Sequence, residues 1–149
     1  MNKLIAHALI YNEKGEILII KRTKIKRGKE NYEGERWDIP GGTVECMELP
    51  SEAAVRETKE EVGLKVKVSS IIYETSKRDF NKNTVFTTLI YECKIIGNAD
   101  ILLDYEEHSE YQWIIPEKIL NMDDNLLVSY MKELIENLFT RKRTLMIQK

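Results

Sequence analysis

Residues 50–62, PSEAAVRETKEEV, constrain this chain more than any other stretch. Pro50 suits a first helical position, Glu52 sits in the first turn at the positive end of the helix dipole, and Gly63 suits the position just past the end. At about 100° per residue, Glu57, Glu60 and Glu61 fall within an arc of about 100°, and Val55, Thr58 and Val62 fall opposite them. One face is therefore expected to pack while the other gathers carboxylates. Like charges three and four positions apart cost some tenths of a kcal/mol per pair, which Arg56, four residues from both Glu52 and Glu60, partly offsets. Two readings fit this face. It is either a solvated acidic surface or a site for a hard divalent cation such as Mg²⁺, which takes oxygen ligands. The helix alone does not choose between them.

The surrounding chain places that helix in a mixed order of elements. Residues 3–11 and 17–20 read as β-strands, and Asn12-Glu13-Lys14-Gly15 between them carries the turn chemistry of a hairpin. Residues 22–36 are polar and aperiodic, which predicts a long surface loop. Trp37-Asp38-Ile39-Pro40 restores order, and the pair Gly41-Gly42 allows a sharp turn or a close approach to a ligand. Strand-like runs follow at 64–73, 84–96 and 110–115. Pro116 opens a short turn or helix. Residues 123–140 read as a final amphipathic helix, with Leu126, Leu127, Tyr130, Leu134, Ile135 and Leu138 along one side. Strands, helix, strands and helix in that order predict an α/β fold, a sheet covered by helices on its faces.

Composition narrows the function classes. The 149 residues fit one domain, 1–149, better than two. Lys and Arg number 23 against 25 Asp and Glu, a net charge of −2, which argues against a stable nucleic-acid partner. No apolar run approaches the ~18–20 residues of a membrane span, and the N-terminus carries no signal-peptide pattern. Cys46 and Cys93 lack metal-type spacing and are expected to be reduced thiols in a cytoplasmic protein. A homodimer stays open.

The spacing around the helix decides between the two readings of its acidic face. The chain runs Gly42-x5-Glu48-x7-Arg56-Glu57-Thr58-x-Glu60-Glu61-x-Gly63-Leu64. This resembles the Nudix box, G-x5-E-x7-R-E-U-x-E-E-x-G-U, where U is a bulky apolar residue. Every fixed Gly, Glu and Arg matches, and the one departure is Thr58 at the first U. The resemblance implies an α/β/α sandwich with a mixed sheet, and hydrolysis of a nucleoside diphosphate linked to another moiety with Mg²⁺ or Mn²⁺ as cofactor. It implies Glu57, Glu60 and Glu61 as metal ligands, with a carbonyl of Gly42 or Gly41 as a further one. Arg56 and Glu48 would form an ion pair that orients loop and helix, with Glu48 a secondary metal contact. The general base would be Glu57 or a glutamate on a later loop, Glu106, Glu107 or Glu110. Family boxes often carry Gly immediately before the first box Glu. Here that position is Met47, so a turn with positive φ there carries strain.

The stretch 21–29, KRTKIKRGK, holds six cations. They either steer an anionic substrate or belong to a solvated loop, and Arg22 is the one best placed to meet a substrate phosphate. Arg141-Lys142-Arg143 reads as a tail. Tyr32, Trp37 and Phe80 are the candidates to stack on a base, although Trp37 also suits a core. No proline occurs between Pro50 and Pro116, which counts against the ADP-ribose type of the family, and residues 17–28 do not match the coenzyme A type. The expectation is a MutT-like nucleoside triphosphatase acting on a small nucleotide. The alternatives are a non-catalytic nucleotide-binding sensor of the same fold and an isomerase built on it; both usually show degenerate boxes.

Overall fold

The computed structural model describes residues 1–147 and the side chains of residues 1–141. Strands β1 (Asn2–Tyr11) and β2 (Ile17–Arg22) form the expected hairpin, closed by Tyr11 opposite Ile17. The Asn12 side-chain oxygen accepts from the N–H groups of Lys14 and Glu16 at 3.0 and 2.9 Å and so fixes the turn. The polar stretch that follows is more ordered than its composition suggests. It contains a miniature hairpin, β3 (Ile25–Lys26) and β4 (Lys29–Glu30), turned by Arg27 and Gly28 at φ 53° and 76°. Two left-handed residues in succession match the twist of such short hairpins.

Strands β5 (Trp37–Asp38) and β6 (Gly41–Thr43) serve two different neighbours. β5 runs antiparallel to β2, with Asp38 opposite Ile20, and β6 antiparallel to β1, with Gly41 opposite His7. The peptide between them is pinned to β1 by the Ala8 N–H on Pro40 O, at 2.8 Å. Helix α1 (Pro50–Val62) follows, with Pro50 in its first turn, the Glu52 side chain accepting the Leu49 N–H at 2.9 Å, and Gly63 at φ 74° ending it.

Strands β7 (Val66–Asp79) and β8 (Thr84–Ile95) are longer than the apolar runs that announced them, because the hairpin continues with polar residues past the core. β8 lies parallel to β1 along its whole length, Asn2–Tyr11 against Val85–Lys94. Strand β9 (His108–Ile114) pairs with β2 on its other edge, and the register slips by one residue where Arg22 meets His108. The result is a seven-stranded mixed sheet.

Both faces of the sheet are covered, which explains why β1 and β2 are nearly continuous apolar runs. Leu9, Ile17 and Ile19 point to one side and pack with Ile119 of α2 (Pro116–Leu120) and with Met131, Leu134 and Ile135 of α3 (Met131–Ile147). Ala6, Ala8, Ile10, Leu18 and Ile20 point to the other, against Ala53, Ala54 and Val62 of α1. Each fully buried Leu or Ile contributes about 1.5–3 kcal/mol relative to exposure.

Three expectations need correction here. The last helix begins at Met131, not at 123: a 3₁₀ turn at Asp124–Leu126 leaves Leu126 exposed, and Leu127 is extended in a bridge to Trp37. The Val128 N–H then bonds Trp37 O at 3.0 Å, so pairing with β5 displaces helix at that point. Arg141 is not in a tail but within α3, and its Nη1 donates to Ile72 O at 3.2 Å; the side chains of Lys142 and Arg143 lie outside the described residues. On α1 the packed stripe is Ala53, Ala54, Thr58 and Val62, with Val55 only half-buried and Glu61 buried as well. Thr58 satisfies its hydroxyl on Ala54 O at 2.7 Å, which is how a polar residue occupies an apolar position of the box.

Candidate functional site

Arg56 organises the site from the middle of α1. Its Nε and Nη2 donate to Glu48 Oε2 and Oε1 at 2.7 and 3.0 Å, a bidentate pair. Nη2 also reaches Thr43 O at 3.1 Å, while Nη1 donates to Glu57 Oε1 at 2.9 Å and Glu60 Oε2 at 3.3 Å. One guanidinium thus ties α1 to β6 and to the loop between them. The hydrogen bond from Arg56, helped by the Glu45 N–H, holds the Glu48 carboxyl down at about 2. That loop turns at Met47, whose φ is 65° and whose side chain is 96% exposed.

The glycine pair is needed for close approach and not for unusual dihedrals. A Cβ on Gly42 would lie 2.6 Å from Glu57 Cδ, and one on Gly41 would lie 2.3 Å from His7 Cγ and 2.4 Å from Ala6 O. Beneath Gly41, Asp38 is buried and collects several partners. Its own side chain accepts the Ile39 N–H at 2.8 Å, Arg22 Nη1 donates at 3.2 Å, and the Tyr130 hydroxyl donates to its Oδ1. Burial and the neighbouring Asp38 push the Tyr130 phenol well above its ordinary value. His7 Nδ1 lies 2.7 Å from Ile39 O on the same side.

Glu61 is 3% exposed, close to other carboxylates and weakly countered. Burial, and then Glu57, Glu107 and Asp38, push its carboxyl well above the usual range, against a single long hydrogen bond from the Gly41 N–H at 3.4 Å. The segment after β8 brings its companions. The N–H groups of Leu102 and Asp104 bond the carbonyls of Val62 and Glu61, both at 2.8 Å, and so carry the chain along the end of α1. The next residues deliver Glu107 and His108. Burial raises Glu107, but Lys26 at 2.7 Å more than reverses it, so that carboxyl lies below its ordinary value. Burial lowers His108 to about 4, and its Nδ1 has no hydrogen-bond partner among the described residues.

The box residues Glu48, Arg56, Glu57, Glu60 and Glu61 therefore converge with Gly41 and Gly42. Glu110 does not join them: it stands on β9 with its carboxylate 3.4 Å from Lys21, and the acidic residue brought beside the box is Glu107. Arg22 has its guanidinium engaged by Asp38, Asn31 Oδ1 and Tyr32 O, so it supports the loop instead of standing free for a phosphate. Tyr32 and Phe80 are exposed, and Trp37 packs against the core. Asp38, His7, Tyr130 and His108 carried no sequence signal as a group, since strands and loops far apart in the chain assemble them.

The donor set suits a hard divalent cation. A buried carboxylate beside other acidic groups, with one long N–H for compensation, is an arrangement that a cation neutralises. The NUDIX domain family model matches residues 1–138. This chain belongs to the Nudix family. It is 32% identical over 117 residues to an uncharacterized Nudix hydrolase of Listeria innocua, covering 78% of this chain and 65% of that protein's length. It is 30% identical over 100 residues to the nucleoside triphosphatase NudI of Escherichia coli, covering 61% of this chain and 70% of the relative. The crystal structure of a MutT protein from Methanosarcina mazei Go1 superposes with a TM-score of 0.76 at 30% identity, covering 95% of both chains. The α/β/α sandwich expected from the box is thus the Nudix fold. Among the described residues no helix is long and apolar enough to cross a membrane.

Proposed function

We propose that this chain, as a single domain, is a MutT-like pyrophosphohydrolase that splits a phosphoric anhydride bond in a nucleoside triphosphate or a nucleoside diphosphate conjugate. The observation that carries the reading is the Arg56 hub, which holds Glu48, Glu57 and Glu60 together beside Gly42 and the buried Glu61. Glu57, Glu60 and Glu61 would hold Mg²⁺ or Mn²⁺, with Gly42 O and Glu48 as further contacts. When bound, the cation supplies charge neutralisation of the diphosphate and Lewis acidity toward water.

The chain's own part is positioning and proton transfer. Arg56 donates to Glu57 and fixes its orientation; Glu57 then takes the proton of the attacking water. A new P–O bond forms to that water oxygen as the anhydride P–O bond breaks on the opposite side. Gly41 and Gly42, bare of side chains, let the phosphates approach the backbone. Glu107, from the loop before β9, is the second candidate for the proton acceptor. A reducing, cytoplasmic setting fits the two unpaired thiols.

The test is a screen of nucleoside triphosphates, ADP-ribose and dinucleoside polyphosphates with Mg²⁺ or Mn²⁺, following phosphate and pyrophosphate release. Turnover of at least one, with most activity lost in a folded Glu60→Gln variant, is the expected result. Tight binding of a nucleotide without turnover of any would replace this reading with that of a sensor.

A further inference from the structure

We infer that His108 joins Glu61 and Glu107 as a ligand to the divalent cation, through Nδ1, and that this nitrogen donor biases the site toward Mn²⁺ over Mg²⁺. The inference rests on the hydrolase reading for the presence of a cation at the box, and it adds to the box's Glu61 two residues that the box does not include, Glu107 and His108.

The geometry has three independent parts. One donor atom from each of Glu61, Glu107 and His108 lies within 4.8 Å of the others. His108 is 5% exposed, yet its Nδ1 finds no partner among the described residues, and Glu61 Oε2 stands 3.9 Å away, too far for a hydrogen bond. A buried nitrogen left unsatisfied is destabilising, so its presence here calls for a ligand that the protein alone does not provide. The third part is the backbone. β9 slips by one residue exactly where His108 opposes Arg22, and such a bulge turns a side chain toward a site that regular pleating would have aimed elsewhere.

The surroundings hold these donors in place. The Thr23 N–H bonds Glu107 O at 3.0 Å and the His108 N–H bonds Asp104 O at 3.0 Å, so the Glu107–His108 peptide is held at both its carbonyl and its N–H. Lys26 Nζ, 2.7 Å from Glu107 Oε1, occupies part of the charge that a cation would take. A divalent ion entering here therefore competes with a lysine for Glu107 while meeting no competitor for His108 Nδ1 among the described residues.

The donor chemistry sets the selectivity. Mg²⁺ prefers oxygen ligands and gives up its waters reluctantly, whereas imidazole suits the first-row transition ions. A carboxylate-only site would accept either ion. Replacing one oxygen by an imidazole nitrogen weights it toward the transition series, of which Mn²⁺ is the usual partner of carboxylates.

The experiment uses the whole protein without nucleotide. Mn²⁺ and Mg²⁺ are titrated by calorimetry, and the bound Mn²⁺ is examined by pulsed paramagnetic resonance for coupling to an imidazole nitrogen. Wild type should bind Mn²⁺ more tightly than Mg²⁺ and show the nitrogen coupling. His108→Phe should lose the coupling and weaken Mn²⁺ by about tenfold or more, with little change for Mg²⁺. Should His108→Phe fail to fold, the wild-type spectrum still decides. Bound Mn²⁺ without nitrogen coupling overturns the role of His108 and leaves the glutamate site standing. Failure of wild type to bind either ion overturns the hydrolase reading along with it.

Discussion

The Glu57 carboxylate lies against the bare Cα of Gly42, so close that a Cβ there would stand 2.6 Å from its Cδ. The atoms in the way belong to the end of a flexible side chain, so the fold can yield. Gly42→Ala should therefore cost only about 1 kcal/mol of stability, at the lower edge of overpacking penalties. It should lower kcat about 100-fold by displacing Glu57, since misplacements near 1 Å have that effect. Gly41→Ala meets the His7 ring and the Ala6 carbonyl instead, and should lower the melting temperature far more. Equal thermal losses in the two variants would contradict this distinction.

Met47 departs from the Gly that family boxes often carry, and its φ of 65° shows that the turn kept its shape. A left-handed residue with a side chain costs roughly 1–2 kcal/mol, part of which glycine returns as entropy of the unfolded chain. With Met47 almost fully exposed, no packing is lost on its removal. Met47→Gly should raise stability by about 0.5–1 kcal/mol, read from denaturant midpoints at constant m-value.

The Arg56–Glu48 pair makes stability depend on pH in a defined direction. Glu48 falls from its ordinary 4.5 to about 2 in the fold, chiefly through Arg56. A depressed carboxyl pKa contributes fully above pH 4.5 and loses that contribution as pH falls toward 2. Wild type and Glu48→Gln should differ most in urea midpoint above pH 5 or so and converge as the pH is lowered through 4 toward 3. A constant gap across that range would show that the pair's charge contributes nothing.

What the sequence revealed, and what it hid, divides along physical lines. Local signals were legible: the hairpin at Asn12–Gly15, Pro50 and Gly63 bounding α1, and the spacing from Gly42 to Leu64 that pointed to the Nudix fold. Tertiary pairing was not. Leu127 sits on an apparent helical stripe, yet it is drawn into a bridge with Trp37, a partner ninety residues earlier. Glu61 reads as one more exposed glutamate of an acidic face. Tertiary neighbours make it a buried one: the segment that carries Leu102 and Asp104 along the end of α1, Gly41 and His108. His108 gave no signal because its significance depends on a one-residue slip between β2 and β9.

The two thiols should separate cleanly by reactivity. Cys46 is exposed in the box loop, whereas Cys93 is buried and its thiol is pushed up to about 12, first by burial and then by Glu92. A disulfide-exchange reagent at pH 8 should label Cys46 alone in the native protein and both cysteines in denaturant. Rapid native labelling of Cys93 would mean that β8 opens far more readily than its pairing on both edges implies.

Tyr130 and Asp38 join α3's approach to the peptide beneath Gly41. Asp38 is 3% exposed and shares its carboxylate among Arg22, the Ile39 N–H and the Tyr130 hydroxyl. Removing one donor from a buried charged acceptor costs about 1.5–3 kcal/mol, so Tyr130→Phe should lower stability by that amount with the fold retained. Asp38→Asn should also destabilise. The double variant should lose less than the sum of the two, because the shared hydrogen bond can be lost only once. Strict additivity in that cycle would mean that hydroxyl and carboxylate do not interact in solution, and that Arg22 and the Ile39 N–H secure Asp38 without Tyr130.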